Sequence, residues 1–331
     1  MNITHVIIYA IVPILVIMLV GFISGKRGVF SGDDAKKFNK VVLDYALPAA
    51  LFVSIVQSTR EMLVRDLKLT IISTVGIMLC FMLVYFIFKY CFKKNTGADA
   101  AISALISGSP TIGFLGFAVL EPIFGTNPSV ALVVAIVGIV VNAIGIPVGL
   151  SLMNASLEKT DPSLKGKHES AWKPVLHALA QPVAWAPILA VIWVVAGIPW
   201  PKELSPSFNL MAKANASMAV FSAGITLSAI KLDINWQAVL GSILKMVMMP
   251  AVILVMGLIF KMDPENLRML VVACALPPAF SGIIIADEYN TYVATGTSSL
   301  TLSVILFIGF CPLWIWLTNL AMNAHLFGYI G

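Results

Sequence analysis

Apolar stretches about as long as a membrane-spanning helix recur ten times in this 331-residue chain. A helix needs about 20 apolar residues to cross the hydrocarbon core of a bilayer. Only 11% of the residues are charged, whereas a soluble domain carries about 25%. The sequence therefore predicts an all-α polytopic membrane protein. The ten predicted spans are 6–24, 38–57, 68–92, 98–120, 128–153, 174–198, 207–230, 236–260, 267–286 and 293–323.

Lysine and arginine are distributed unevenly between the two ends of these spans. Thirteen lie in or beside the loops that follow spans 1, 3, 5 and 7, and six lie at the opposite ends. Because positive residues concentrate in cytoplasmic loops, we expect both termini to be extracytoplasmic. The first apolar run has no small-residue cleavage site after it, so we interpret it as a retained helix. The prediction is a multi-pass protein of the cell (inner) membrane.

The chain divides into two halves that look like copies. Residues 1–153 and 174–331 hold five predicted spans each, and the polar stretch 154–173 reads as a cytoplasmic linker. Short motifs recur in order at offsets of 167 to 174 residues, including Pro13-Ile14-Leu15 with Pro187-Ile188-Leu189, and Pro110 with Pro277. Five is an odd number, so the copies must lie inverted relative to each other, as in many secondary transporters.

Prolines interrupt two of the apolar runs, span 4 at 107–113 and span 9 at 275–282. Proline lacks a backbone donor and blocks the preceding helical turn. Within a membrane, non-helical backbone survives only where it is buried in protein or lines a wet cavity. Paired interruptions in the two halves are typical of a transporter's binding site. The alternative is a pair of ordinary proline kinks, repaired by neighbouring Ser and Thr.

Each interruption would start a new half-helix near the middle of the membrane. We expect the first N–H groups of these half-helices, from Thr111 and from Ala279, to lack partners and to bind an anion. Hydroxyl groups would add neutral donors, and glycines would allow close approach. The predicted substrate-binding residues are Ser107, Gly108, Ser109, Pro110, Thr111, Gly113, Pro277, Pro278, Ala279, Ser281 and Gly282.

Four polar residues inside the predicted spans are candidates for charge balance or ion coupling. Asp44 in span 2 and Lys213 in span 7 occupy matching positions of the two halves, so they could pair or exchange with a coupling ion. Lys245 in span 8 could balance an anionic substrate. Asn215 could be a substrate ligand, although hydrogen bonding between helices is the commoner use. For both lysines and Asp44, the alternative is a side chain that reaches water at the membrane surface.

Motifs of enzymes and metal sites are absent from the sequence. The four cysteines and four histidines are dispersed without metal-ligand spacing. No nucleophile elbow, phosphate-binding loop or zinc-protease motif occurs. We therefore predict no enzymatic activity, no cofactor, no metal and no nucleic-acid partner.

Several segments resemble the auxin efflux carrier family. Leu276-Pro277 with Ala286-Asp287-Glu288-Tyr289-Asn290 is similar to the ninth helix of that family. The segment from Gly108 to Gly116 resembles the fourth helix of its bacterial branch, the branch associated with malonate and similar dicarboxylates. Phe38-Asn39 and the segment from Met218 to Gly224 also fit, and the resemblance extends over all ten spans.

The resemblance implies two inverted five-helix repeats and a role for each group of spans: helices 1, 2, 6 and 7 form a scaffold, and helices 3–5 and 8–10 form a moving transport domain. It also implies a homodimer. In the plant branch an asparagine follows the helix 4 proline and contacts the substrate. Here that position is Thr111, a departure that argues against auxin itself.

These observations predict a secondary transporter for a small organic anion, such as malonate, malate or oxalate, working by alternating access. Two alternatives remain, a cation/proton exchanger of similar fold and a transporter-like membrane receptor. An exchanger would keep a carboxylate beside the crossing, and none lies within ten residues of Pro110 or eight of Pro277. The coupling ion, H⁺ or Na⁺, and the direction of transport stay open.

Overall fold

The computed structural model describes residues 8, 11–57, 59–61, 67–160, 182–229, 235–289 and 291–329. Within these ranges the chain is helical, with twelve helices connected by short loops. The predicted linker beyond residue 160 and the start of predicted span 6 lie outside the described residues. The helices, in chain order, are α1 Val12–Lys26, α2 Gly32–Val56, α3 Leu67–Tyr90, α4 Gly97–Ser107, α5 Ile112–Phe124, α6 Pro128–Ile139 continuing through Ile146–Thr160, α7 Pro182–Ala196, α8 Ser205–Ala229, α9 Trp236–Ile259, α10 Pro264–Cys274, α11 Phe280–Glu288 and α12 Val293–Asn323.

Six of these helices, within the described part of the chain, are long and apolar enough to cross a membrane: α2, α3, α6, α8, α9 and α12. Shorter apolar helices accompany them, among them α1 and α4. Predicted spans 4 and 9 are each divided in two, as α4 with α5 and α10 with α11. The chain is therefore a polytopic, all-helical membrane protein. Helix α6 continues to Thr160, seven residues beyond the predicted end of span 5.

Side-chain caps explain where several helices begin. Ser31 and Asp34 form a capping box at the start of α2, and Thr96 and Asp99 form another at α4. In each box the hydroxyl accepts from the backbone N–H three residues on, and the carboxylate accepts from the capping residue's own N–H. The caps fix both helix starts at the loops that the charge distribution assigns to the cytoplasm.

Three of the long helices contain a π-helical turn followed by a proline. The turns are Val42–Ala46, Val140–Gly145 and Leu244–Met248. A proline inside a helix leaves a carbonyl without its donor and collides with it, and the wider π turn relieves that collision. In α9 the carbonyl of Met246, four residues before Pro250, instead accepts from the indole N–H of Trp314 at 2.7 Å.

Glycines allow α1 and α8 to cross closely. A Cβ at Gly21 would collide with the carbonyl of Phe221, and one at Gly224 would collide with the carbonyl of Met18. Helix α2 packs on α8, and α7 packs on α2, so that α1, α2, α7 and α8 form one group. A second group of contacts joins α3, α4 and α6 with α9–α12. The interrupted helices therefore belong to one packed group and meet α2 and α8 along its surface.

Candidate functional site

The two interruptions lie against each other in the middle of the fold. Pro110 and Pro278 form an antiparallel bridge. The Thr111 N–H donates to the Pro277 carbonyl at 2.9 Å, and the Ala279 N–H donates to the Ser109 carbonyl at 3.0 Å. We name this pair of segments between the half-helices, 108–111 and 275–279, the crossover. All of its residues are buried, so the hydrogen bonds across it satisfy backbone groups that would otherwise be costly.

This pairing corrects two expectations from the sequence. The N–H groups of Thr111 and Ala279 are not free, because each is bonded across the crossover, and the Ile112 N–H donates to the Pro110 carbonyl at 2.8 Å. The donors that we expect to be available to a ligand are the N–H groups of Gly113 on α5 and Ser281 on α11, each two residues later. In addition, the residue opposite Pro110 is Pro278 and not Pro277. Pro278 therefore faces Pro110 across the crossover.

The hydroxyl of Thr111 has no partner among the described residues. Thr111 is 2% exposed, its Oγ1 is buried without a hydrogen bond, and it does not cap α5. A buried hydroxyl without a partner costs free energy, so a ligand that used it would bind favourably. An unpartnered donor at the start of a helix is suited to an anion, because the helix dipole is positive there.

The three predicted serines differ in whether their hydroxyl groups are available to a ligand at the crossover. Ser109 donates its hydroxyl proton to the carbonyl of Leu105 in α4, the helix that precedes the crossover. Ser107 lies against α9 and α12: a Cβ at Gly241 would come within 2.7 Å of its Oγ and 3.0 Å of Ser299 Oγ. Ser281 is half-buried in the first turn of α11. Thr111 and Ser281 are therefore the hydroxyls best placed for a ligand at the two half-helix starts.

The predicted glycines pack against neighbouring elements. A Cβ at Gly108 would meet Phe81 of α3, and one at Gly282 would lie 2.8 to 3.0 Å from Ile106 and Leu105 of α4. Gly113, in contrast, has room: its nearest neighbours would be Leu47 and Leu43 of α2, at 3.4 and 3.8 Å. The first turn of α5 therefore faces α2, at the boundary between the two packed groups.

Lys245 lies at the crossover and is completely buried. Its ammonium group donates to the carbonyl of Cys274 at 2.5 Å and contacts Met249 Sδ at 3.3 Å. Cys274 is the last residue of α10, where unpaired carbonyls and the negative end of the helix dipole accumulate. The lysine thus neutralises that helix end three residues before Pro277. No ion pair of Lys245 occurs among the described residues.

Asp44 and Lys213 face different cavities and form no ion pair with each other in the part of the chain described here. Asp44 lines a cavity of about 520 Å³ with Tyr45, Phe52 and Trp185. Lys213 lines a separate cavity of about 490 Å³ between α2, α5 and α8. The sequence predicted matching positions for these two residues, but α2 and α8 present them to different cavities.

The second cavity, which we name the α5 vestibule, contains a residue that the sequence reasoning missed. Glu121 of α5 is half-buried there. It follows Pro110 by eleven residues, one more than the ten-residue range in which the sequence contains no carboxylate. Its position as an acid inside an apolar run was the sequence feature that could have identified it. The polar residues that line the α5 vestibule are Ser54, Gln57, Glu121, Thr126, Asn209 and Lys213.

Asn215 is buried on α8, which packs against α5. Both polar atoms of its side chain lack a hydrogen-bond partner among the described residues. Within the described part of the chain, the Asn215 amide therefore forms no hydrogen bond between helices, which was the alternative role suggested by the sequence. Among the described residues, no group of three or more His, Cys, Asp or Glu side chains could hold a metal ion.

The fold and the crossover together define the class: a polytopic membrane protein with two interrupted helices that meet in its interior. The chain belongs to the family described as membrane transport protein, whose model matches residues 6–315. This is the auxin efflux carrier family, so the resemblance drawn from the sequence is confirmed. The protein is accordingly a membrane transporter and not an enzyme.

Relatives in bacteria and plants show how far the similarity extends. The uncharacterized transporter YfdV of Escherichia coli K12 is 50% identical over 310 residues, which cover 94% of this chain and 97% of that protein. A protein of Rhizobium meliloti, provisionally named a malonate transporter, is 23% identical over 89% of this chain and 91% of its own length. Auxin efflux carrier component 4 of Arabidopsis thaliana is 26% identical over 38% of this chain and 21% of its own.

Proposed function

We propose that the protein is a secondary transporter of small organic anions, namely dicarboxylates such as malonate, malate or oxalate. One observation carries the proposal: α5 and α11 begin at the buried crossover, and the Thr111 hydroxyl there has no partner among the described residues. Two helix N-termini and a neutral hydroxyl bind a carboxylate without an arginine. The proposed ligand groups are the Thr111 hydroxyl and the first-turn N–H groups of α5 and α11.

The charges around the crossover support an anion as substrate. Lys245 is the buried cation at this position, and its ammonium group is directed at the end of α10. Segments 108–111 and 275–279 contain no acidic side chain. Glu121 lines the α5 vestibule and does not belong to the crossover. A cation site would need converging oxygen ligands, whereas the crossover offers donors.

The proposed mechanism is alternating access by two inverted five-helix repeats of ten spans. The scaffold would consist of α1, α2, α7 and α8, and the moving domain of α3–α6 and α9–α12. The two packed groups of helices support this division. The termini and the α5 vestibule would lie on the extracytoplasmic side of the inner membrane, and the protein would form a homodimer.

The choice of a dicarboxylate rests on the relatives. Family membership supports an organic compound as cargo, and the relative from Rhizobium meliloti carries a name that refers to malonate. Malonate is therefore the first compound to test. The Arabidopsis relative matches only part of the chain, and Thr111 replaces the asparagine expected of the plant branch, so auxin serves as a comparison compound.

The test combines binding with flux. The purified protein is heated in detergent with a panel of mono- and dicarboxylates, and then reconstituted in liposomes with the compounds that stabilise it. We expect dicarboxylates to raise the melting temperature and to be taken up. Stabilisation without uptake would identify a receptor. Uptake of Na⁺ or K⁺ against protons, with no effect of carboxylates, would identify a cation exchanger and refute the proposal.

A further inference from the structure

The α5 vestibule brings one carboxylate and one ammonium group to a single cavity. Glu121 lies on α5, the helix that starts at the crossover, and Lys213 lies on α8. No ion pair joins the two among the described residues, so both side chains face the space of about 490 Å³ without neutralising each other by contact. The remaining polar groups of the lining are uncharged amides and hydroxyls.

The net charge of this lining depends on one proton. With Glu121 ionised, the carboxylate offsets Lys213 and repels an entering anion. With Glu121 protonated, the lining carries a single positive charge, and the carboxyl group becomes a hydrogen-bond donor. An anion in the vestibule therefore favours protonation of Glu121, and protonation favours the anion, because the two effects are reciprocal.

The position of Glu121 on its helix also favours the protonated carboxyl group. Glu121 lies in the last turn of α5, which ends at Phe124. A negative charge is disfavoured at the C-terminal end of a helix, since the dipole is negative there. Partial burial further disfavours the ionised carboxylate. The neutral form is thus accessible at this site without a second acid beside it.

Other charged groups near α5 do not replace Glu121 in this role. Helix α6 presents no titratable side chain over Pro128–Ile139, and α2 presents none over Leu47–Val56. Helix α10 begins with Asp263, which caps it, and contains Glu265 and Arg268; Arg268 donates to Asn319 at 2.8 Å. Asp44 faces the other cavity. Lys213 is therefore the charged partner that shares the vestibule with Glu121.

We propose that Glu121 is the proton-coupling group of the transporter, taking up one proton from the solution that fills the α5 vestibule when the anion binds. The carboxylate accepts the proton on the side where the anion enters and releases it on the opposite side. The organic anion therefore moves together with a proton. This inference rests on the proposed function, because it needs an anion that binds at the crossover.

Proteoliposomes that enclose a pH-sensitive dye test the coupling with malonate as the probe. In the wild type we expect an inward malonate gradient to acidify the interior. We also expect initial uptake to rise when the external pH falls from about 8 to about 6, by at most about tenfold per pH unit, because one proton is linked to the anion. Glu121→Gln should retain malonate exchange, lose the acidification and vary less than about twofold over the same pH range.

Two further variants make the test specific. Glu203→Gln removes an exposed acid in the loop before α8 and should behave like the wild type. Asp44→Asn removes the acid of the other cavity and should also keep the acidification. If the wild type takes up malonate without moving protons, or if Asp44→Asn and not Glu121→Gln abolishes proton movement, the coupling role is wrong and the transport function stands. If no carboxylate is taken up, both proposals fail.

Discussion

The backbone N–H of Thr111 donates to the carbonyl of Pro277 at 2.9 Å, which ties the start of α5 to the second interruption. The matching bond from Ala279 to Ser109 completes the pair. Backbone hydrogen bonds therefore hold both half-helix starts in place. The Thr111 hydroxyl forms no hydrogen bond among the described residues and so does not contribute one to the fold. A site fixed before its ligand arrives loses little entropy on binding.

Replacing Thr111 by valine separates binding from folding. The change removes a hydroxyl that has no partner among the described residues, so the free energy of unfolding should stay constant or rise slightly. A hydrogen bond to a charged ligand contributes about 1.5 to 3 kcal/mol. Malonate affinity should therefore fall about 10- to 100-fold, measured as the shift of the melting temperature against malonate concentration.

Thr318→Val is the matched control. Thr318 is also buried, but its hydroxyl donates to the carbonyl of Trp314 within α12 at 2.7 Å. The variant should lose about 1 kcal/mol of stability and keep malonate affinity. Equal affinities for Thr111→Val and the wild type would mean that the hydroxyl does not contact the substrate.

Ser109→Ala should bind malonate nearly as well as the wild type. The sequence suggested Ser109 as a donor to the substrate, but its proton is used by the Leu105 carbonyl. We expect a change in affinity of less than about twofold in the same titration, since no ligand contact is lost. A tenfold loss would show that the hydroxyl turns towards the ligand when the anion binds.

Lys245→Met tests whether the buried charge serves function or stability. Methionine would leave the buried Cys274 carbonyl without the donor that Lys245 supplies, so the free energy of unfolding should fall by about 1 to 3 kcal/mol. A buried positive charge attracts an anion more strongly than a surface charge does, because the protein interior and its surroundings screen it less. Malonate affinity should therefore fall at least about tenfold.

The control for Lys245→Met is Lys202→Met, which removes an exposed lysine before α8. It should change neither affinity nor stability. A lower melting temperature for Lys245→Met with unchanged affinity would instead assign Lys245 a purely structural role at the end of α10.

The positions of most helices and of the two interruptions could be predicted from the sequence. The described helices lie close to the predicted spans, because apolar length and prolines act locally along the chain. The pairing of the interruptions could also be predicted, as a hypothesis, from the repeat of motifs. The backbone hydrogen bonds from Thr111 and Ala279 could not be predicted, since they depend on which residues meet across the crossover.

Side-chain direction explains the remaining differences. The sequence predicted matching positions for Asp44 and Lys213, but the two side chains face separate cavities. The direction in which a helical side chain points towards its neighbours depends on which elements pack against that helix. Glu121 and Lys213 are more than 90 residues apart in sequence, but they line one cavity because α5 and α8 pack together. Distance along the chain is a poor measure where helices cross.

The α1–α8 crossing should not tolerate larger side chains. A Cβ at Gly224 would collide with the backbone carbonyl of Met18, and overpacking of this kind costs about 1 to 3 kcal/mol. Gly224→Ala should therefore lower the melting temperature in detergent. Gly309→Ala is the control, because a Cβ at Gly309 of α12 meets nothing within 4 Å, and it should be neutral or stabilising. Equal melting temperatures would contradict the close crossing.

Uptake of radiolabelled malonate by proteoliposomes, comparing the wild type with Pro110→Ala, tests the central claim most directly. Alanine restores a backbone donor, so α4 could continue through the interruption and displace the bridge to Pro278. We predict uptake by the wild type and a loss of at least about tenfold in the variant, with a helix content of the variant no lower than that of the wild type. Equal uptake by the two proteins would contradict an anion site at the crossover.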